Sequence, residues 1–304
     1  MTKIYLIKQD FVNTRLDKWF KKNVCEVPQS LLEKNLRKGK IKVNNKKKKS
    51  SYKVQANDKI AIKFFYPVIK NNTKNQEKYN ATKKEITSTS KFIIHDNENF
   101  IIINKPPGIA VQSGTKSKRN IMDILSKTKH FRNTTPYTVH RIDKDTTGIL
   151  IVAKNREYAQ LFTSLFRIRK IHKSYLAITL GKFNEKKGTF NEDLYHFEDK
   201  KKVRSKAITH YKVIDSNNNY SLVKLNLETG RKHQIRKHLL MHGHPILGDS
   251  KYNIGNNYKN KKKILMLHAH KINFSINDKK YNFEAEPSID FKKTINEKYL
   301  KIFS

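Results

Sequence analysis

The sequence predicts an α+β protein in two parts, a small helix-and-strand module followed by a larger domain that interleaves strands and helices. Three observations carry this reading. Over residues 1–66 apolar side chains fall first at helical spacing and then alternate at strand spacing. Over residues 67–90 that periodicity gives way to Asn, Lys, Thr and Ser, a composition that cannot bury enough surface to offset chain entropy and predicts a flexible linker. From residue 91 to 304 the strand and helix patterns resume together.

Each element has its own signal. Thr14 followed by Asp17 predicts a helix-start box, with Leu16, Trp19 and Phe20 at helical spacing behind it. A second helix is expected after Pro28, carrying Leu31, Leu32 and Leu36 and stopping at Gly39. Ile41–Val43, an Asn44-Asn45 turn, Tyr52–Val54 and Ile60–Ile62 predict short strands. In the larger part, Phe92–Ile94 and Phe100–Ile103 predict two strands around a turn, and Ile149–Ala153 predicts a buried strand. Asn155 can cap a helix whose Tyr158, Leu161, Phe162 and Leu165 share one face. Lys173–Leu180 predicts a further strand, and Gln234–Met241 a helix closed by Gly243.

Composition narrows the function. A formal net charge of +39 and an isoelectric point near 10.1 surround the chain with positive potential, which makes nucleic acid the first partner to consider. Part of that Lys-rich bias, shared with Asn and Ile, can equally reflect genome-wide codon drift. The single cysteine, Cys25, excludes an internal disulfide or a Cys-based zinc site and points to a reducing compartment. Without a run of about 18 apolar residues, a cytoplasmic, non-membrane protein is expected.

Two polar stretches could carry chemistry. His140-Arg141-Ile142-Asp143-Lys144-Asp145-Thr146-Thr147-Gly148 leads straight into the apolar run at Ile149, where the edge of a core could hold a carboxylate in one geometry. The same residues also suit a solvated turn in which Asp143 or Asp145 caps backbone amides. Thr229-Gly230-Arg231-Lys232-His233-Gln234-Ile235-Arg236 places basic groups at a helix start, either an anion site or a solvated basic face. His242, His244, His268 and His270 lack a carboxylate at metal-site spacing and read as satisfied or surface histidines.

Taken together these segments resemble the RluA family of pseudouridine synthases. The family hallmark stands here as HRIDKDTTGILIVAK, residues 140–154, with NKPPG from Asn104, KSYLA from Lys173, TGRKHQIRKH from Thr229, GHPILGDSKY from Gly243 and LHA from Leu267 in family order. Ile142, Thr147 and Gln112 depart conservatively from the usual Leu, Ser and His. The first module is similar to the S4 RNA-binding fold through TRLDKWF at Thr14 and VPQSLLEKNLRKGKIKVN from Val27. That second run is similar to the branch of the family that acts on large-subunit (23S) ribosomal RNA. The same chemistry on transfer RNA, or an inactive RNA-binding relative, is the alternative.

The resemblance implies an S4 module beside a catalytic domain built on a mixed, mainly antiparallel sheet. It implies isomerisation of uridine to pseudouridine with RNA as partner, a monomer, and a route for which neither cofactor nor metal is necessary. Asp143 matches the catalytic carboxylate, Arg236 its guanidinium partner and Tyr175 the aromatic that stacks on the target base. Ile235 matches an apolar residue of the same pocket, and Arg141 is the candidate to fill the gap left by a flipped base. His140 and Arg231, together with Lys34, Arg37 and Lys38 of the first module, complete the expected RNA contacts.

Overall fold

Continuous apolar runs such as Phe100-Ile101-Ile102-Ile103 and Ile149-Leu150-Ile151-Val152-Ala153 suit strands covered on both faces, and this is how the chain uses them. The structure is a computed structural model that describes residues 2–25, 27–63, 79–114, 117–198, 201–254 and 264–302. The chain divides into two compact units, Met1–Glu77 and Lys78–Ser304.

The first unit pairs β1 (Lys3–Leu6), β3 (Lys59–Ile62) and β2 (Ile41–Val43) in the order β1-β3-β2, all antiparallel. Two helices, α1 (Leu16–Asn23) and α2 (Gln29–Arg37), supply Leu16, Trp19, Phe20, Leu32 and Leu36 to a core shared with Ile41, Val43, Ile60 and Ile62. Gly39 ends the second helix with φ +68°, and Asn44 and Asn45 turn the chain at φ +48° and +63°.

Two expectations fail here for local reasons. The Thr14–Asp17 box does not form, because Arg15 takes the cap position and its guanidinium holds the Asp17 carboxylate at 2.7 and 3.1 Å. Tyr52–Val54 is no sheet strand. Its backbone bonds instead to the segment entering α1, Leu16 N–H to Tyr52 O at 2.7 Å and Val54 N–H to Thr14 O at 2.9 Å.

The expected linker is also shorter than its composition suggests. Residues 67–78 lie outside the described residues, but α3 (Lys83–Thr89) is a capped helix. Thr82 accepts from Glu85 N–H at 3.3 Å, and Glu85 returns the bond to Thr82 N–H at 2.9 Å. Burial works to raise the Glu85 carboxyl, but donors from Thr82, Arg119 and Tyr79 hold it at about 2. Tyr79 and Ala81 also pack on the core of the second unit.

That second unit is built on a sheet in the order β4-β5-β7-β14-β8-β13-β12-β9. Its left half joins β4 (Ile93–Asp96), β5 (Phe100–Lys105) and β7 (Thr147–Ala153), with β6 (Tyr137–Thr138) added along β7. Its right half joins β14 (Leu267–Ile276), β8 (His172–Leu180), β13 (Tyr220–Leu227), β12 (Thr209–Ser216) and β9 (Lys187–Phe190). β15 (Lys279–Glu284) pairs with β14, and β10 (Leu194–Glu198) with β11 (Lys201–Ser205) forms a separate hairpin. Among the described strands the β7–β14 pairing is parallel and the rest are antiparallel, so the mixed, mainly antiparallel expectation holds.

Alternate residues of β5 and β7 feed two cores. Ile101, Ile103, Leu150 and Val152 meet Ile121, Ile124 and Leu125 of α4 (Ile121–Leu125). On the opposite face Phe100, Ile102, Ile149 and Ile151 meet Phe162 of α5 (Arg156–Arg167) and Phe274 of β14. Asn155 caps α5 as expected, accepting from Tyr158 N–H at 2.9 Å. The rings of Phe100 and Phe162 meet edge to face at 5.3 Å, and burying such a side chain contributes roughly 1.5–3 kcal/mol. The helix α6 (Gln234–Met241) lies where its spacing predicts, with Gly243 at φ +77° beyond its end, and α7 (Ile289–Glu297) packs Phe291 and Ile295 on the first of these cores.

Candidate active site

The loop between β6 and β7 is fixed by groups on either side of Asp143. After Thr138 the short β6 leaves its partner, and the His140 ring takes over: its Nε2 accepts from Ile151 N–H at 2.9 Å. Burial, with Lys173 nearby, pushes His140 down to about 3, so it is a neutral acceptor, its ring tilted by 34° against Phe166 at 4.6 Å between centroids. His140 lines the cleft, but its bond is to the fold.

Beneath the loop, the wholly buried Lys105 donates to the carbonyls of Pro106, Ile109 and Lys144 at 2.8, 3.0 and 2.9 Å. Burial pushes this amine down to about 7, while Asp145 and Asp143 pull it up. All three protons of the ammonium are used, which ties the Asn104–Gly108 segment to the residue beside Asp143.

The loop then enters β7 through Thr147 and Gly148, opposite His268 and Ala269 of β14. A Cβ on Gly148, at φ +104°, would stand 2.2 Å from Ala269 O, so only glycine allows the strands to approach. Tyr175 of β8 pairs with the same Ala269 from the other side. A three-strand row therefore sets the spacing between the end of the loop and Tyr175.

The opposite wall comes from α6 and the turn after it. Arg236 donates through Nε and Nη2 to Asp249 at 2.7 Å each, and through Nη1 to Asp143 Oδ2 at 3.2 Å. Burial penalises the guanidinium, yet Asp249 and then Asp143 raise it above its ordinary value and keep it charged. Asp249 is itself held by Lys251 and Tyr252 N–H groups at 2.9 Å. The Tyr252 ring lies 5.0 Å from the Arg236 guanidinium, and its hydroxyl is 2.9 Å from His233 Nδ1. His233 Nε2 stands 3.6 Å from the second Asp143 oxygen.

Of these residues His140, Asp143, Tyr175, His233 and Arg236 line a cleft of about 630 Å³, together with Arg141, Phe166, Lys173 and Ile235. Tyr175 and Ile235 are buried in its wall, whereas Arg141 is exposed at its rim. Burial, aided by Asp143, raises the Tyr175 phenol above its ordinary value, so at neutral pH it keeps its proton. Arg231 also borders the cleft, but its amide donates to Gln234 Oε1 at 2.9 Å and its guanidinium to Lys206 O at 3.1 Å. That amide is therefore already bonded within the protein. Lys34, Arg37 and Lys38 belong to the first unit and are exposed there; Arg37 shares a groove of about 470 Å³ with Lys47, Lys48 and Lys49.

The four histidines set aside above each have protein partners. His242 pairs with Glu192 at 2.9 Å, His244 with Leu180 O at 3.2 Å and His270 with Glu284 at 3.1 Å. His268 lies between Thr147 Oγ1 at 2.8 Å and Ala285 O at 2.9 Å.

Residues 99–241 match the family RNA pseudouridylate synthase. The chain is also 33% identical to the ribosomal large subunit pseudouridine synthase C of Buchnera aphidicola subsp. Schizaphis graminum, over 96% of both chains. It belongs to the RNA pseudouridylate synthase family. A second relative, the synthase C of Rickettsia felis, is 35% identical over 90% of this chain and 93% of its own. Among solved structures, human RNA pseudouridylate synthase domain containing 4 matches 71% of this chain and 96% of its own, with 26% identity and a TM-score of 0.62.

Sequence reasoning about this synthase missed four residues of the site: Asp249, His233, Tyr252 and Lys105. All four stand inside the blocks that carry the resemblance. A carboxylate inside GHPILGDSKY and a lysine inside NKPPG, both among apolar neighbours, were the available signals.

Proposed function

We propose that this synthase isomerises uridine to pseudouridine in large-subunit (23S) ribosomal RNA, acting in the cytoplasm with Asp143 as the reacting group. The observation that carries the reading is the placement of one partly exposed carboxylate at the wall of a cleft, with a buried guanidinium on one oxygen. Among the described residues no helix is long and apolar enough to cross a membrane.

The reaction breaks the bond from uracil N1 to C1′, turns the base and joins its C5 to C1′; the C5 proton leaves and N1 gains one, so atoms balance without redox change. An ionised Asp143 can serve this either as nucleophile at the sugar or as base at C2′. Arg236 orients it through the 3.2 Å bond to Oδ2 and places a positive charge beside it. Tyr175 supplies a flat surface for the flipped base, and its retained phenol proton makes it a donor in the site. Arg141, exposed at the rim, has a planar cation suited to the gap that the base leaves. The first unit acts as an S4-like RNA clamp through Lys34, Arg37 and Lys38, a second contact useful on a large folded RNA.

The substrate is tested by mapping pseudouridines after incubation with 23S RNA, its fragments and bulk transfer RNA. Modification of 23S RNA is expected, and deleting residues 1–66 should reduce it far more than modification of a minimal stem-loop. Efficient modification of transfer RNA with none on 23S RNA would overturn the substrate assignment.

A further inference from the structure

Asp143 has a second basic neighbour that the family blocks do not single out. His233 occupies the position before α6 with φ +55° and ψ +31°, a left-handed conformation uncommon for a residue with a side chain. Residues held there cluster at functional sites, where surrounding structure over-determines them. From this backbone the ring reaches between two partners, with Nε2 at 3.6 Å from Asp143 Oδ1 and Nδ1 at 2.9 Å from the Tyr252 hydroxyl. Tyr252 also packs its ring against the guanidinium of Arg236, which holds Asp143 Oδ2. Each Asp143 oxygen therefore faces one basic side chain, and Tyr252 braces both.

The chemistry of the three groups fixes the protons. A carboxylate only accepts, so the ring nitrogen facing it must carry hydrogen for the contact to be favourable. In a neutral imidazole the other nitrogen is then an acceptor, and the Tyr252 hydroxyl donates to it. Burial keeps His233 below its ordinary value against the pull of Asp143, and Arg236, Lys251 and Lys232 act in the same sense as burial. A neutral ring matters, since a full positive charge here would weaken Asp143 as nucleophile or base.

We propose that His233, oriented by Tyr252, is a positioning residue that fixes the rotation of the Asp143 carboxylate about its Cβ–Cγ bond. In the free protein the contact is longer than a hydrogen bond, and it closes by about half an ångström when RNA fills the cleft. The proposal rests on Asp143 being the reacting group. It adds that this group is held by two side chains, so that a carboxylate with Arg236 alone is misaligned.

The test compares His233→Gln, His233→Asn, Tyr252→Phe and Asp143→Asn on one RNA, with kcat, KM and unfolding midpoint measured for each. Glutamine can place an N–H close to the position of Nε2. Asparagine suits the left-handed backbone but is too short to reach Asp143. His233→Gln should stay within about threefold of the parent in kcat, and His233→Asn should lose roughly tenfold or more at unchanged KM and unfolding midpoint. Tyr252→Phe should lose kcat in the same direction by a smaller factor. Parental kcat in His233→Asn and Tyr252→Phe, equal losses in the Gln and Asn variants, or a loss confined to KM would overturn the proposal. Asp143→Asn separates the two levels. If it is inactive while His233→Asn is parental, only the role of His233 falls; if it is active, the assignment of Asp143 itself falls.

Discussion

Arg236 is bound more closely to Asp249 than to Asp143, by two bonds of 2.7 Å against one of 3.2 Å. The Asp249 side chain is wholly buried and the Asp143 side chain is 24% exposed. The inner carboxylate therefore sets the position of the guanidinium, and the guanidinium in turn sets that of the outer carboxylate. Fold stability and site geometry meet in one side chain.

Asp249→Asn should consequently act on both. Removing one partner of a buried ion pair costs about 3–5 kcal/mol when the remaining charge is left unpaired, and since Arg236 keeps Asp143 the loss should fall toward the lower end of that range. Denaturant unfolding should show that loss, and single-turnover assays should show a reduced rate as Arg236 relaxes toward Asp143. A variant as stable and as active as the parent would mean that Asp249 does not hold the arginine.

Stability should fall as pH is lowered from about 6.5 toward about 4. Burial holds His268 at about 4 in the folded chain, against an ordinary 6.5. Between these values the unfolded chain binds the proton and the folded chain does not, so stability rises with pH across the window. The full difference corresponds to about 3 kcal/mol at most. Urea titrations at pH 7 and pH 4.5 measure it, and His268→Gln should make the dependence shallower while His140, held at about 3, keeps part of it; an unchanged slope would mean that His268 contributes nothing.

RNA binding should weaken steeply with salt, since each neutralised phosphate contributes a logarithmic slope of about 0.9 or less. Neutralising Lys34, Arg37 and Lys38 together should flatten that slope on long RNA and leave turnover on a short stem-loop unchanged. Parental affinity of the triple variant for long RNA would remove the first unit from the RNA contact.

Much of this architecture was legible in the chain because local signals and the final packing agree. Pro28 and Gly39 bracket α2, Asn155 caps α5, and the unbroken apolar runs of β5 and β7 mark strands buried on both faces. The failures have physical causes as well. Asp17 looks like half of a capping box, but its carboxylate is held by the Arg15 guanidinium and its amide donates to Ser50 O at 3.1 Å. The helix α3 lacks an apolar stripe, and its start is secured by the polar reciprocity of Thr82 and Glu85, so composition alone read it as linker.

Within the site, Asp143 and Tyr175 stood out through the family blocks, whereas Asp249 could not be paired with Arg236 from spacing. The two are joined only after the chain turns through Gly243 and Gly248. A Cβ on Gly248, at φ +80°, would meet Ile264 O at 2.0 Å, so the turn that delivers Asp249 depends on a long-range approach invisible in one dimension.

The central claim is that the Asp143 carboxylate performs the chemistry, and its most direct measurement is pseudouridine formation by Asp143→Asn alongside RNA affinity. The substitution keeps the side-chain shape and removes a charge used in the reaction, so affinity should stay within a few-fold while product formation disappears. Residual activity above about one per cent of the parent, with RNA binding intact, would contradict the assignment.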